Sequence, residues 1–331
     1  MLRWPSCIFF LCLSCLCSAR AAVVPPKKHV AFHDSSQTRY FSIGNDPILL
    51  SDTASCTISF SRAGNLILVR AKADSIEGNF ILDTGAPGLV LNLTYFRNYP
   101  TTSHGDEEQA GITGTSSSVT RTNVKELTLG TFHYSKVEAD VLNLSHIENS
   151  KGVKILGLLG MQLFKQCEMI IDYEKNLIYL HHVSRKEANR YQHEMLNDTA
   201  AYTIFPIELT DNRVMVKTEM AGKKLRFIVD CAAESNILDS RLPNKVFDQV
   251  VIHERVVLSG AGSNKVEALY GNMTNLKIGN RIIENLPVTI TNLEKTCLSF
   301  DGCVDGVLGF DFLSLHKIGF NFVNNKMFIW K

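Results

Sequence analysis

The sequence predicts a mainly β chain folded as two lobes related by a pseudo-twofold axis, with a cleft between them. Three observations predict it. First, one signature occurs twice, as Phe80-Ile81-Leu82-Asp83-Thr84-Gly85-Ala86 and as Phe227-Ile228-Val229-Asp230-Cys231-Ala232-Ala233. Second, the self-similarity extends far to either side of that signature at one nearly constant spacing, which means two copies of one fold. Third, the repeated segments are short aliphatic and β-branched runs separated by glycine and polar residues, the pattern of strands and turns.

The repeat can be followed in order. Asp52-Thr53-Ala54 returns as Asp198-Thr199-Ala200, and the strand-like run Asn65-Leu66-Ile67-Leu68-Val69 returns as Asn212-Arg213-Val214-Met215-Val216. Beyond the signature, Val124-Lys125-Glu126-Leu127-Thr128-Leu129-Gly130 matches Met273-Thr274-Asn275-Leu276-Lys277-Ile278-Gly279. Near each end Gly157-Leu158-Leu159-Gly160 matches Gly306-Val307-Leu308-Gly309, and Ile171-Asp172-Tyr173 matches Phe320-Asn321-Phe322. The predicted lobes are therefore residues 52–183 and 198–331, joined by a charged, partly helical connection over 184–197.

The chain opens with Arg3, an apolar run from Cys7 to Cys17 and Ala19-Arg20-Ala21, the layout of an export signal cleaved after Ala21. The run is too short to span a bilayer and no later stretch is apolar for long enough, so no transmembrane segment is expected. The expectation is a periplasmic or secreted protein, with lipid attachment at Cys15 or Cys17 the lesser alternative because neither follows the usual Leu-small-small sequence. Residues 22–51 lie outside the repeat and suit a linker, a short pro-segment or an edge strand joining the lobes.

Each copy of the signature is an apolar strand ending in one carboxylate where the backbone turns. If the pseudo-twofold axis brings Asp83 and Asp230 together, the two like charges cannot both ionise and one proton is shared. One carboxyl then serves as acid and the other as base toward a water between them, chemistry suited to adding that water to a peptide carbonyl. Taken singly, either Asp also suits a plain turn or cap after a strand.

An apolar strand ending in Asp-Thr-Gly-Ala, a glycine-containing hairpin downstream, and then two apolar residues and a Gly resemble the retropepsin-like aspartic protease unit. The set is complete in the first half and degraded in the second, and together they cover roughly residues 52–331. Two units in one chain resemble the bilobal, pepsin-like arrangement, which implies two β-barrel lobes and a peptide or protein substrate in the cleft between them. The resemblance implies a catalytic pair Asp83 and Asp230, loop support from Thr84, Gly85, Cys231 and Ala232, and buttressing by Gly160 and Gly309. It implies no cofactor and no metal. It also implies a flap over the cleft, for which Gly111-Ile112-Thr113-Gly114 is the candidate and Ser259-Gly260-Ala261-Gly262 the counterpart. Glycines there permit φ > 0 and motion, although the same residues suit a solvent turn. No aromatic residue sits at the first tip.

The second loop departs from the pattern. Thr84 can donate a hydrogen bond across the axis, whereas Cys231 is a weak donor. Ala232 places a methyl group where the first copy has Gly85, and if substrate passes there the methyl crowds it. Two other readings follow from this departure: a peptide-binding module that has lost catalysis, and a homodimer that pairs two intact first lobes, with a monomer expected ahead of the dimer.

Removing the export signal leaves Cys56, Cys167, Cys231, Cys297 and Cys303. Cys297 and Cys303 bracket a short loop and are predicted to form a disulfide in an oxidising compartment, with Cys231 as a free thiol between the lobes. A catalytic cysteine has no His or Asn in a recognisable partner motif. A hydrophobic content of 45% with 20% charged residues describes a globular chain, and a net charge of +1 points away from nucleic acid and anionic membrane surfaces as partners. His181, His182 and His193 lack metal-ligand spacing and read as surface residues. Asn92, Asn143, Asn197 and Asn272 begin glycosylation sequons, and no nucleotide-binding fingerprint occurs.

Overall fold

The apolar runs that lead into the two aspartates form the strands Ile76–Leu82 and Lys223–Val229. Their last three residues are buried on both faces, which is why they read as continuous apolar runs rather than alternating ones. A computed structural model of the chain describes residues 46–331 except 52, 106–108, 112–113, 117–118, 260–264 and 295–302.

The same framework surrounds each of these strands. Leu66–Ala73 runs antiparallel to Ile76–Leu82, and Arg213–Met220 antiparallel to Lys223–Val229. On the other side Gly157–Leu159 lies parallel to the first, with Gly157 opposite Phe80, and Gly306–Leu308 lies parallel to the second, with Gly306 opposite Phe227. After the Asp loops, Leu89–Asn92 and Ile237–Asp239 return antiparallel to those same short strands. Each then pairs in parallel with a further strand, Phe132–Leu142 in the first lobe and Leu286–Thr291 in the second.

The lobes share a third sheet of six antiparallel strands, three from each. Its order is Ser55–Ala63, Leu177–His182, Cys167–Asp172, Ile318–Asn321, Lys326–Trp330 and Tyr202–Thr210. Cys167–Asp172 meets Ile318–Asn321 at its centre, where Met169 faces Phe320. Each of these strands also belongs to the hydrophobic core that runs continuously through both lobes and includes Phe80, Phe132, Phe164, Phe205, Phe227 and Phe320. Each lobe therefore donates its ends to a common floor, and the Asp loops stand above it.

Three polar contacts add to the sheet. Asn65 Nδ2 donates to Glu234 O at 3.0 Å, and Asn212 Nδ2 donates to Pro87 O at 3.3 Å. The spacing of the repeat maps Asn65 onto Asn212 and Pro87 onto Glu234, so these are one contact made twice. The third breaks the symmetry: Lys151, at the end of the helix Ser145–Lys151, pairs with buried Glu234 at 2.5 Å.

Several expectations take a more definite form. The connection over 184–197 holds one 3-10 turn, Glu194–Leu196, and turns elsewhere, rather than a longer helical stretch. It is anchored by His181, which bonds Ser55 Oγ at 2.7 Å and Glu187 at 2.9 Å. Of residues 22–51, Ile48–Leu49 is an edge strand, paired antiparallel with Phe132–Leu142 inside the first lobe rather than bridging the two. Asn92 is fully buried: it caps the helix Leu93–Phe96 through Thr94 N and donates to Ile155 O, so its sequon is inaccessible in the folded chain. Gln109–Gly111 and Gly114–Ser116 form a hairpin with Gly111 opposite Gly114. Its tip residues Ile112 and Thr113 lie outside the described residues, as do Gly260, Ala261 and Gly262 at the end of the second-lobe hairpin Val250–Ser259 and Lys265–Met273.

Candidate active site

Each candidate aspartate is held by the strand beside its own. Asp83 N donates to Leu159 O and Asp230 N donates to Leu308 O, both at 3.0 Å. The two chain segments that the sequence marked as buttresses then continue under the loops. Met161 N and Gln162 N donate to Ala86 O and Pro87 O, while Phe310 N donates to Ala233 O. The approach is too close for any side chain. A methyl on Gly160 would meet Gly88 O at 2.1 Å, and one on Gly309 would meet Ala233 O and Ser235 O at 2.5 Å.

The structure brings Asp83 and Asp230 together, both fully buried. Asp83 Oδ1 accepts Gly85 N at 2.9 Å and Ala86 N at 2.8 Å, and Asp230 Oδ1 accepts Ala232 N at 2.8 Å. The outer oxygens, Asp83 Oδ2 and Asp230 Oδ2, have no hydrogen-bond partner beyond the opposite carboxyl. Gly85 lies directly against the opposite carboxyl, since a methyl there would meet Asp230 Oδ2 at 2.5 Å.

Thr84 ties the loops to each other. Its hydroxyl donates to Val229 O at 2.8 Å and accepts from Cys231 N at 3.0 Å. In the reverse direction the Cys231 sulfur lies 3.4 Å from the Thr84 hydroxyl. Among the described residues no bond runs from that sulfur to the Leu82 carbonyl, so half of the reciprocal pair rests on a weak sulfur acceptor. Burial pushes the Cys231 thiol up to about 12, so it remains an un-ionised packing group rather than a nucleophile.

Ala232 corrects the expectation of a methyl group crowding the cleft. It is fully buried and belongs to a cluster whose other members, among them Leu66, Ile81, Ala86 and Leu158, are all first-lobe residues. The methyl is therefore part of the lobe interface.

The sequence reading passed over one further residue. Arg213, wholly buried, opens its strand and donates from Nε to Gly85 O at 2.9 Å, across the lobe boundary. The signal was present in the sequence, because a basic residue stands in an otherwise apolar strand where the first copy has Leu66.

Burial raises both carboxyls above the ordinary carboxylate range. For Asp83 the bonds from Ala86 and Gly85 and the charge of Arg213 oppose that rise, whereas for Asp230 the neighbouring Asp83 charge adds to it. Asp230 is thus the more reluctant to ionise. Nearby Asp311 is also pushed up, to about 6, by burial, while its carboxylate accepts Asn236 N at 3.3 Å. Cys303 is disulfide-bonded, and Cys297 lies outside the described residues. Among the described residues no group of three or more His, Cys, Asp or Glu is arranged to hold a metal ion.

A family model described as aspartyl protease matches residues 69–163 and again residues 216–312, together more than half of the chain. The chain belongs to the aspartyl protease family. Its two matched regions each contain one aspartate loop and the glycine segment that supports it, Asp83 with Gly160 and Asp230 with Gly309. Among solved structures, it is similar to the crystal structure of aspartic proteinase from Irpex lacteus at 12% identity, with a TM-score of 0.47, over 84% of this chain and 97% of that one. No curated protein matches it.

Two outcomes follow from this geometry. A carboxyl whose folded pKa is raised keeps a proton that the unfolded chain has already lost, so the contribution of Asp83 and Asp230 to stability is greatest in acid and falls as pH rises out of the carboxylate range near about 4. Asp230→Asn, which removes the more reluctant charge, is expected to raise the thermal midpoint at neutral pH and to flatten its pH dependence; an unchanged profile in calorimetry would contradict that origin. Ala232→Gly deletes a buried interface methyl and adds backbone freedom, so it is expected to destabilise by about 1–2 kcal/mol in urea unfolding.

Proposed function

We propose that the chain is an aspartic endopeptidase in which Asp83 and Asp230 activate one water for attack on a peptide bond. The observation that carries this reading is the pair of buried carboxyls, one from each lobe, each with its inner oxygen tied to its own loop and its outer oxygen left for chemistry.

Two backbone N–H groups and a guanidinium favour the ionised form of Asp83, and the adjacent charge favours the protonated form of Asp230. Asp83 is then the base and Asp230 the acid. Asp83 takes a proton from the water as its oxygen bonds to the substrate carbonyl carbon, and Asp230 gives its proton to the carbonyl oxygen. The product is a tetrahedral diol. As the carbon–nitrogen bond breaks, Asp83 returns its proton to the departing amine, and a diol hydroxyl returns one to Asp230. Substrate lies in the cleft between the lobes under the Gln109–Gly111 and Gly114–Ser116 hairpin. The reaction calls for neither metal nor organic cofactor, because the shared proton supplies both acid and base.

Pairing of the Asp83 and Asp230 loops within one chain supports a monomer over a dimer of first lobes. Thr84, Gly85, Cys231, Ala232, Gly160 and Gly309 act by holding the carboxyls in register. The disulfide at Cys303 supports export, as do the signal-like residues 1–21.

Asp83→Asn and Asp230→Asn are each expected to lower cleavage of a mixed peptide library by roughly 10²–10⁴-fold with the circular dichroism spectrum unchanged. Full turnover by Asp83→Asn would sink the assignment, and loss at Asp83 alone would restore the homodimer. Mass spectrometry of the exported chain is expected to find Ala22 at the N-terminus and Cys297 joined to Cys303; an intact Met1 would overturn the export reading.

A further inference from the structure

The two halves of the candidate site are unequal in a way that the Asp-Thr-Gly pattern does not describe. At matching positions of the repeat stand Leu66 and Arg213, and the residues across the lobe boundary from them are Ala232 and Gly85. In one direction Leu66 and Ala232 share an apolar cluster. In the other, a guanidinium with no exposed surface reaches the Gly85 carbonyl, two residues beyond Asp83. Both sites are interior, but only one brings a full positive charge to its opposing aspartate loop.

We propose that Arg213 makes the two carboxyls unequal, holding the negative charge on Asp83 and leaving the proton on Asp230. This rests on the endopeptidase reading above. Arg213 acts through Asp83 and is a positioning residue. A buried carboxylate is destabilised by lost solvation, and a cation fixed nearby in a medium of low dielectric offsets part of that loss for whichever carboxyl it faces. The bond from Nε to Gly85 O fixes the cation, because Gly85 N is itself a donor to Asp83 Oδ1. Charge and loop geometry are thereby set by one side chain.

The other ionisable groups around the site have different partners. Cys231, within the Asp230 loop, stays a thiol. Tyr173, after the strand Cys167–Asp172, is pushed up by burial, and Arg62 of Ser55–Ala63 opposes that rise while lying over the Phe310 ring at 4.5 Å. Asp311, in the helix Phe310–Leu313, accepts from Asn236 N, and Glu234 is paired with Lys151. Arg213 is the cation that acts on Asp83.

The test uses the full chain carrying Arg213→Leu, which copies the first lobe, and Arg213→Gln, which keeps a donor for Gly85 O without the charge. Asp carboxyl carbons are labelled and titrated by NMR, with Asp83→Asn to assign the signal, and the pH profile of kcat/KM is recorded alongside. Both variants are expected to move the Asp83 midpoint, and the acid limb of the profile, upward by about one pH unit. Arg213→Lys is expected to stay close to wild type. A folded Arg213→Gln with the wild-type midpoint overturns the inference, whether or not Arg213→Leu folds, since Arg213 would then be only a structural support for the loop. The titration reads Asp83 even if no peptide is cut, so loss of the endopeptidase reading and loss of this inference are separate results.

Discussion

Two carboxyl groups buried face to face form an arrangement that water would ordinarily dissolve. Each loses solvation, and each repels the ionised form of the other. The rest of the molecule supplies what keeps them there. Backbone N–H groups of Gly85, Ala86 and Ala232 hold the inner oxygens, the Thr84 hydroxyl locks one loop to the other, and the six-stranded floor prevents the lobes from parting. Those restraints are distributed over both halves of the chain. The site consequently exists only as a property of the whole fold.

Much of this arrangement was legible in the sequence because its physical cause is local. A strand buried on both faces has to be apolar along its length, so Phe80-Ile81-Leu82 and Phe227-Ile228-Val229 announce themselves, and the turn that follows has to carry the carboxylate. Gly160 and Gly309 were equally legible, since backbone packed against backbone leaves room for no side chain. The shared floor was harder to see: Leu177–His182 pairs with Ser55–Ala63 across more than a hundred residues, and no local pattern encodes such a partner. Arg213 was visible and still passed over, because a basic residue in a strand ordinarily marks a solvated face. The misjudged destination of the Ala232 methyl had the same origin, for only the arrangement of the second lobe against the first decides which surface it meets.

The repeat also separates what the fold needs twice from what it needs once. Asn65 and Asn212 make the same contact in both directions, and both aspartate strands lean on the same kind of parallel neighbour. Arg213 and Cys231 stand where the first copy has Leu66 and Thr84, and among the described residues the Lys151–Glu234 pair is made in one direction only. Arg213 and Cys231 lie in or against the aspartate loops, so the two halves differ most where the two carboxyls meet.

The partners of the Thr84 hydroxyl lie 145 and 147 residues further along the chain. At an ordinary rate of synthesis, roughly seven to thirty seconds separate the appearance of Thr84 from that of Val229 and Cys231. During that interval the Thr84 hydroxyl has neither of these partners to bind. A chain that ends before Val229 lacks the second half of this loop pair. The loop pair is thus assembled late, only once both lobes exist, so timing is written into the distance between two loops.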